Sequence, residues 1–115
     1  MKKDFLKSEG TKYLSERPLQ DLSKTLAELT GIPEKFFSVH IQGGQKMLFG
    51  GSYDPTAIIH VTSINLKDDL PEKISNEVMT LFENELNIPA TRMYIHFVTT
   101  KADMVGYNKS TMANY

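Results

Sequence analysis

An internal repeat constrains the fold of this chain more than any other feature of its sequence. Gly-Ile-Pro at residues 31–33 is followed by alternating apolar residues at 37–41, and 56 positions later Asn-Ile-Pro at residues 87–89 is followed by a similar run at 93–97. Each copy combines a helix stop, a proline and a strand pattern. The repeat therefore predicts two equivalent halves of one fold.

Each half also contains an amphipathic helix before its stop signal. Residues 18–30 carry leucines at helical spacing, with Pro18 near the predicted start and Gly31 just past the end. A second helix is predicted at residues 71–86, with Asp68 or Asp69 as its cap. The apolar positions of the two helices are Leu19, Leu22, Leu26 and Leu29 in the first, and Ile74, Val78, Leu81 and Phe82 in the second.

Strand patterns at residues 36–42, 56–63 and 93–97 complete most of a βαβ-βαβ arrangement. The repeat places the missing first strand at residues 1–6, where charged residues are poor strand formers and a frayed terminus is the alternative. The fold class predicted is α/β, with two βαβ repeats forming a four-stranded sheet and both helices on one face. Because the other face would be bare, we expect an oligomer.

Composition limits the classes of function. The chain has 115 residues, a formal net charge of -1 and no cysteine. One domain over residues 1–115 is expected, with an atypical segment at 1–15. The near-neutral charge gives no electrostatic reason to bind nucleic acid, and the absence of cysteine removes disulfides and thiol chemistry. No secretion signal or membrane-spanning run is visible, so a cytoplasmic protein without membrane insertion is predicted.

Five sequence blocks resemble the macrophage migration inhibitory factor family of the tautomerase superfamily. They are Met-Leu-Phe-Gly-Gly-Ser at 47–52, Asp-Pro at 54–55, Thr-Ser-Ile at 62–64, Arg-Met-Tyr-Ile at 92–95 and Val-Gly-Tyr-Asn-Lys-Ser-Thr at 105–111. This resemblance implies a homotrimer with pockets between neighbouring subunits. It also implies keto-enol tautomerisation of aromatic keto acids, an intramolecular oxidoreductase reaction, and in animals a cytokine role through a cell-surface receptor, with release that uses no signal peptide.

The chemistry of the resembled family depends on an amino-terminal proline, which this sequence lacks. A secondary amine in an apolar pocket loses basicity, so it can take and return a proton near neutral pH. Here Met1 is followed by Lys2, and no proline occurs before Pro18. The α-amine of Met1 is the remaining candidate base. We therefore expect a cytokine-like or binding protein with weak or lost tautomerase activity; the alternatives are an active phenylpyruvate or dopachrome tautomerase using this amine, and a purely structural module.

The resemblance also implies a substrate-binding set. Ile64 and Tyr94 match the family's pocket wall, while Ile32 replaces a lysine that holds the substrate carboxylate and His96 replaces an asparagine. Lys35 or Lys109 is a candidate to supply the missing cation. The set implied by the resemblance is Ile32, Ile64, Tyr94, His96, Val105 and Tyr107.

Other candidate chemistry has weaker support in the sequence. His40, His60 and His96 lie in predicted strands without the spacing of a metal motif, so structural histidines are expected and neither a metal nor another cofactor is predicted. The family's Cys-x-x-Cys pair is replaced by residues 56–59, Thr-Ala-Ile-Ile. The residues proposed for receptor engagement in the family fall at Thr11 and Gly44, which argues against the same receptor contact.

Overall fold

The structure, a computed structural model, describes the backbone of residues 8–115 and the side chains from residue 16 onward. The predicted first strand at residues 1–6 and the candidate base at Met1 lie outside the described residues. Within this range no helix is long and apolar enough to cross a membrane.

The first helix, α1, spans Ser8–Thr30 and begins ten residues earlier than the sequence predicted. Pro18 therefore lies inside the helix and is fully buried, rather than marking its start. Proline lacks a backbone N–H and costs the helix one internal hydrogen bond, which the packing of the fully buried Pro18 offsets. The carboxyl end is as predicted: Gly31 has a φ of +73°, and its N–H donates to the Ala27 carbonyl at 2.9 Å.

The second helix, α2, spans Leu70–Leu86 and confirms the predicted helix to within one residue. Asp69 occupies the N-cap position and Pro71 lies in the first turn, where its missing N–H costs nothing. Asn87 ends the helix in the left-handed conformation, with a φ of 55°. The predicted apolar face is confirmed, with Ile74, Val78 and Phe82 buried and Leu81 half-buried.

Two parallel strands follow the predicted βαβ order. Strand β1 spans Ala57–Ile64, strand β2 spans Met93–Thr100, and the register runs from Ala57 opposite Met93 to Ile64 opposite Thr100. Parallel pairing across α2 is what a βαβ crossover requires. The α/β class is therefore confirmed.

One hydrophobic core joins both helices to one face of β1 and β2. It is formed by Leu22 of α1, by Ala57 and Met93 at the starts of the strands, and by the buried face of α2, which adds Ile74, Val78, Phe82 and Leu86. Side chains alternate along β1, so Ile58 and His60 are exposed while Ala57 is buried. The described residues leave the face opposite the helices uncovered, so Ile58, Tyr94 and Val98 are exposed there.

The predicted strand at residues 36–42 forms no ladder with the rest of the described chain. Glu34–Phe36 forms a turn of 3-10 helix, and the chain then continues without strand pairing. A strand needs a neighbour to bond, and the repeat assigned that neighbour to residues 1–6, outside the described range. A cavity of about 500 Å³ lies between residues 37–42 and β1, lined on its inner side by Leu22, Ile74, Val78 and Phe82.

A short hairpin lies near the carboxyl end of the chain. Strands β3 at Gly106–Tyr107 and β4 at Ser110–Thr111 pair antiparallel. The turn residues Asn108 and Lys109 have φ values of 50° and 65°. Left-handed conformations at both central positions are typical of the tight hairpin turns that match the twist of paired strands.

Candidate functional site

The residues of the predicted pocket fall into two separate groups in the single chain. Ile64 is the last residue of β1, and Val105 and Tyr107 lie in the segment that follows β2. Tyr94, in contrast, is the second residue of β2 and is paired with Ile58, six residues before Ile64. At the rise of a strand this separation is about 20 Å. One subunit therefore does not assemble the site that the sequence predicted.

Tyr107 of the first group belongs to an aromatic cluster that comprises Phe36, Tyr107 and Tyr115. The Phe36 and Tyr107 rings meet edge to face with centroids 5.4 Å apart, and Tyr107 meets Tyr115 in the same way at 5.2 Å. The Asn108 Nδ2 donates to the Tyr115 hydroxyl at 3.0 Å. Edge-to-face rings of this kind form a shaped apolar wall. Tyr107 belongs to the predicted pocket set, whereas its two neighbours in the cluster, Phe36 and Tyr115, were not predicted there.

Phe36 and Tyr115 are the contributions that sequence reasoning missed. Phe36 was assigned to a predicted strand. Its position four residues after Ile32, a member of the predicted pocket set, was the only sequence feature that could have indicated a place near the pocket. Tyr115 is 59% exposed and lies at the end of a segment with no recognisable motif. The Met112 N–H donates to the Val105 carbonyl at 2.9 Å, which folds the carboxyl-terminal residues back on the hairpin.

Binding of an anionic ligand near the first group depends on the side chains of Ile32, Lys35 and Lys109. Ile32 is half-buried at the end of α1, and its N–H donates to Thr30 Oγ1 at 3.2 Å. An aliphatic side chain there offers no charge to a carboxylate. Lys35 contacts the aromatic cluster, with its Nζ 5.1 Å from the centre of the Phe36 ring. Lys109 lies in the hairpin turn and is exposed.

The second group lies on the uncovered face of the sheet. The Tyr94 side chain is 66% exposed, and its ring centroid is 5.2 Å from that of Phe49. His96 is also exposed, with its ring centroid 6.0 Å from that of His60 on β1. An apolar ring as exposed as that of Tyr94 is available to complete a pocket of another subunit.

Arg92 fixes the loop that lies beside this second group. Its guanidinium donates to four backbone carbonyls, at distances of 3.0 to 3.1 Å. The guanidinium carbon also lies 5.1 Å from the centre of the Phe49 ring, the same ring that Tyr94 contacts. The carbonyls belong to Phe49, Ser52, Asp54 and Pro55. In the sequence, Arg92 was recognised only as part of a motif. Its hydrogen-bond acceptors are backbone carbonyls of a loop, and such contacts produce no periodic pattern in the sequence.

A carboxyl with a strongly raised pKa lies on the α1–α2 surface, away from both groups. The pKa of Glu85 is raised to about 7, first by burial and then by the neighbouring Asp21 carboxyl, against a lowering effect of Arg17. Glu85 Oε1 has no hydrogen-bond partner among the described residues, and Arg17 Nε lies 3.7 Å from it. The folded protein therefore keeps this carboxyl protonated to a higher pH than the unfolded chain does.

Replacing Glu85 by glutamine is expected to stabilise the protein at pH 8 by about 2 kcal/mol and to have little effect near pH 4.5. A folded-state pKa above the unfolded value means that stability is greatest when the carboxyl is protonated and falls as the pH rises from about 4.5 to about 7. Urea unfolding at both pH values measures the difference. The exposed Glu77→Gln on the same helix is the control, and equal gains for both variants would contradict the assignment.

The described residues offer binding surfaces rather than an evident proton-transfer centre. The aromatic cluster and Tyr94 present flat apolar rings suited to an aromatic ligand, and Lys35 can offer charge to an anion. No group of three metal-ligating side chains occurs within the described part of the chain. Pro18, the first proline in the sequence, lies buried in α1.

Comparison with known proteins identifies the fold and the relatives of this chain. Residues 11–113 match the sequence model of the macrophage migration inhibitory factor family. The chain is 37% identical to a macrophage migration inhibitory factor homolog of Brugia malayi, with 85% of this chain and 86% of the relative covered. It is 38% identical to the macrophage migration inhibitory factor of Xenopus laevis, with 83% and 84% covered.

Solved structures show the same fold. The crystal structure of a macrophage migration inhibitory factor homologue from Prochlorococcus marinus superimposes with a TM-score of 0.81 at 40% identity, covering 84% of this chain and 86% of that one. The family resemblance and the predicted fold are thereby confirmed.

Proposed function

Because this chain belongs to the macrophage migration inhibitory factor family, we propose that it is a homotrimeric binding protein with a cytokine-like role and weak or absent tautomerase activity. The pocket is formed between subunits, and an aromatic keto acid is the ligand class. We also propose a cell-surface receptor as partner, and cytoplasmic residence with release from the cell.

The separation of Tyr94 from Ile64 supports the part of this proposal that places the pocket between subunits. Tyr94 and Ile64 lie about 20 Å apart along the same two-stranded ladder, so a ligand of one aromatic ring cannot touch both. A neighbouring subunit that places its Tyr94 against the first subunit's aromatic cluster brings the groups together. The exposed faces of both groups supply the apolar area that such an interface buries.

The residues that surround the pocket support binding more than catalysis. A keto-enol tautomerase needs a group that removes a proton from carbon and delivers one to oxygen. Residues 1–17 contain no proline, and the first proline, Pro18, is buried inside α1. Ile32 cannot orient a carboxylate. Lys35 favours the second candidate, an active tautomerase that uses the Met1 amine, because it could hold the keto acid from beside the aromatic cluster.

Titration with phenylpyruvate tests whether Tyr94 belongs to the binding site. We expect Tyr94→Ala to weaken binding about tenfold, since losing an aromatic contact with a buried ligand costs about 1.4 kcal/mol. Tyr53 is 71% exposed and outside the predicted set, so Tyr53→Ala is the matched control and should bind as the unaltered protein does. Isothermal calorimetry measures both affinities, and sedimentation velocity shows whether each variant remains a trimer.

Affinity tests whether Tyr94 contacts the ligand, and sedimentation velocity tests whether the pocket needs a trimer. Equal affinity of Tyr94→Ala and the unaltered protein, both trimeric, would remove Tyr94 from the site. A monomeric unaltered protein that still binds phenylpyruvate would contradict the shared pocket.

A further inference from the structure

We propose that His60 and His96 form a two-imidazole site for a divalent transition-metal ion such as Zn²⁺ or Ni²⁺. The two residues are partners in the parallel register of β1 and β2, so their side chains leave the sheet side by side on the same face. Their ring centroids are 6.0 Å apart, with the ring planes at 72°. The sequence separates these histidines by a helix and two loops, and only the strand register brings them together.

The distance between the rings suits a shared ion. A ring nitrogen binds Zn²⁺ at about 2.0–2.1 Å, so two imidazoles on one ion have centroids about 5–6.5 Å apart, depending on the angle at the metal. The observed 6.0 Å lies within this range. Small rotations about the side-chain bonds then bring one nitrogen of each ring to the ion, and the strands hold the two backbones at a fixed spacing.

Both imidazoles are available for binding. His60 and His96 are exposed, and neither has a hydrogen-bond partner among the described residues. Strands β1 and β2 contain no charged residue, so no carboxylate from either strand engages the rings. Their neighbours on this face are apolar or neutral, namely Ile58, Thr62, Tyr94 and Val98.

The donor set determines which ions bind. Neutral imidazole favours zinc, copper and nickel ions, whereas Mg²⁺ and Ca²⁺ require oxygen ligands that β1 and β2 do not offer at this place. With two protein ligands the remaining positions are filled by water, so the affinity is expected to be modest. Both imidazoles come from one chain, and His96 also belongs to the predicted pocket set, so an ion held here would lie beside the proposed ligand-binding site.

Zinc and nickel titrations of the full chain test the site. We expect His60→Gln and His96→Gln each to lower the affinity for Zn²⁺ and for Ni²⁺ at least tenfold at pH 7.5, measured by isothermal calorimetry. His40 is the third histidine; it is exposed and lines the same cavity as His60, but its ring makes no contact with either His60 or His96 among the described residues. His40→Gln therefore tests whether a third imidazole joins the site, and it should leave both affinities within twofold.

Side-chain NMR of the imidazoles gives a second measurement that does not depend on variants. Zn²⁺ should shift the ring resonances of His60 and His96 together and leave those of His40 unchanged. Retained affinity in His60→Gln or His96→Gln, or equal losses in all three variants, would overturn the proposal. Absence of any shift at millimolar Zn²⁺ would overturn it as well.

Discussion

Arg92→Met is expected to lower the free energy of unfolding by about 3 kcal/mol or more, a large fraction of the stability of a chain of this size. Methionine keeps much of the length of the side chain and removes all the donors. The carbonyls of Phe49, Ser52, Asp54 and Pro55 would each lose the guanidinium N–H that they accept. A hydrogen bond to a charged donor contributes about 1.5–3 kcal/mol. Three of the four bonds are part-buried, so loss of their donor leaves carbonyls that water reaches only in part.

Two further contacts increase the expected loss. The Thr56 hydroxyl, fully buried, donates to the Arg92 carbonyl at 2.6 Å, so a shift of the backbone at 92 would disturb the start of β1. The Arg92 guanidinium also lies over the Phe49 ring. Arg92→Lys should be intermediate, since an ammonium keeps the charge without the planar set of donors.

Urea unfolding at a fixed protein concentration measures the effect of Arg92→Met, because subunit association makes the apparent stability depend on concentration. Lys67→Met is the control; this exposed lysine should change stability by about 0.5 kcal/mol at most. A loss below about 1 kcal/mol for Arg92→Met would show that water replaces the guanidinium at the loop carbonyls.

The second large expected effect is a low rate of keto-enol interconversion. We expect this chain to convert enol phenylpyruvate at least about 100-fold more slowly than a family member that presents an amino-terminal proline, because a positioned general base contributes about 10²- to 10⁴-fold. A base must also be held against the reacting carbon, and the loss of that positioning adds to the deficit. Replacement of the substrate-holding lysine by Ile32 should raise KM as well.

Local patterns in the sequence predicted the elements whose apolar faces are buried within one subunit. Helix α2 and strands β1 and β2 were placed to within a few residues, because their buried side chains repeat with helical or strand spacing. The start of α1 was wrong because a proline was taken as a boundary. Pro18 is instead accommodated inside the helix, where packing in the folded chain outweighs one lost hydrogen bond.

The features that sequence reasoning missed depend on contacts between distant segments. Arg92 bonds carbonyls about forty residues away, and Phe36 meets Tyr107 and Tyr115 across most of the chain. The pairing of His60 with His96 follows from strand register, which periodicity does not reveal. The six pocket residues came from the family resemblance, and their division into two groups became visible only when the strand positions were known.

An assay of phenylpyruvate tautomerisation on protein whose first residue has been established by intact mass tests the central claim most directly. The claim is that this scaffold keeps the family's pocket walls but lacks its proton-transfer group. The expected result is a chain that retains Met1 and shows no rate above the buffer-catalysed background while it still binds the keto acid. Conversion at the rate of a proline-bearing relative, with Met1 in place, would contradict the claim.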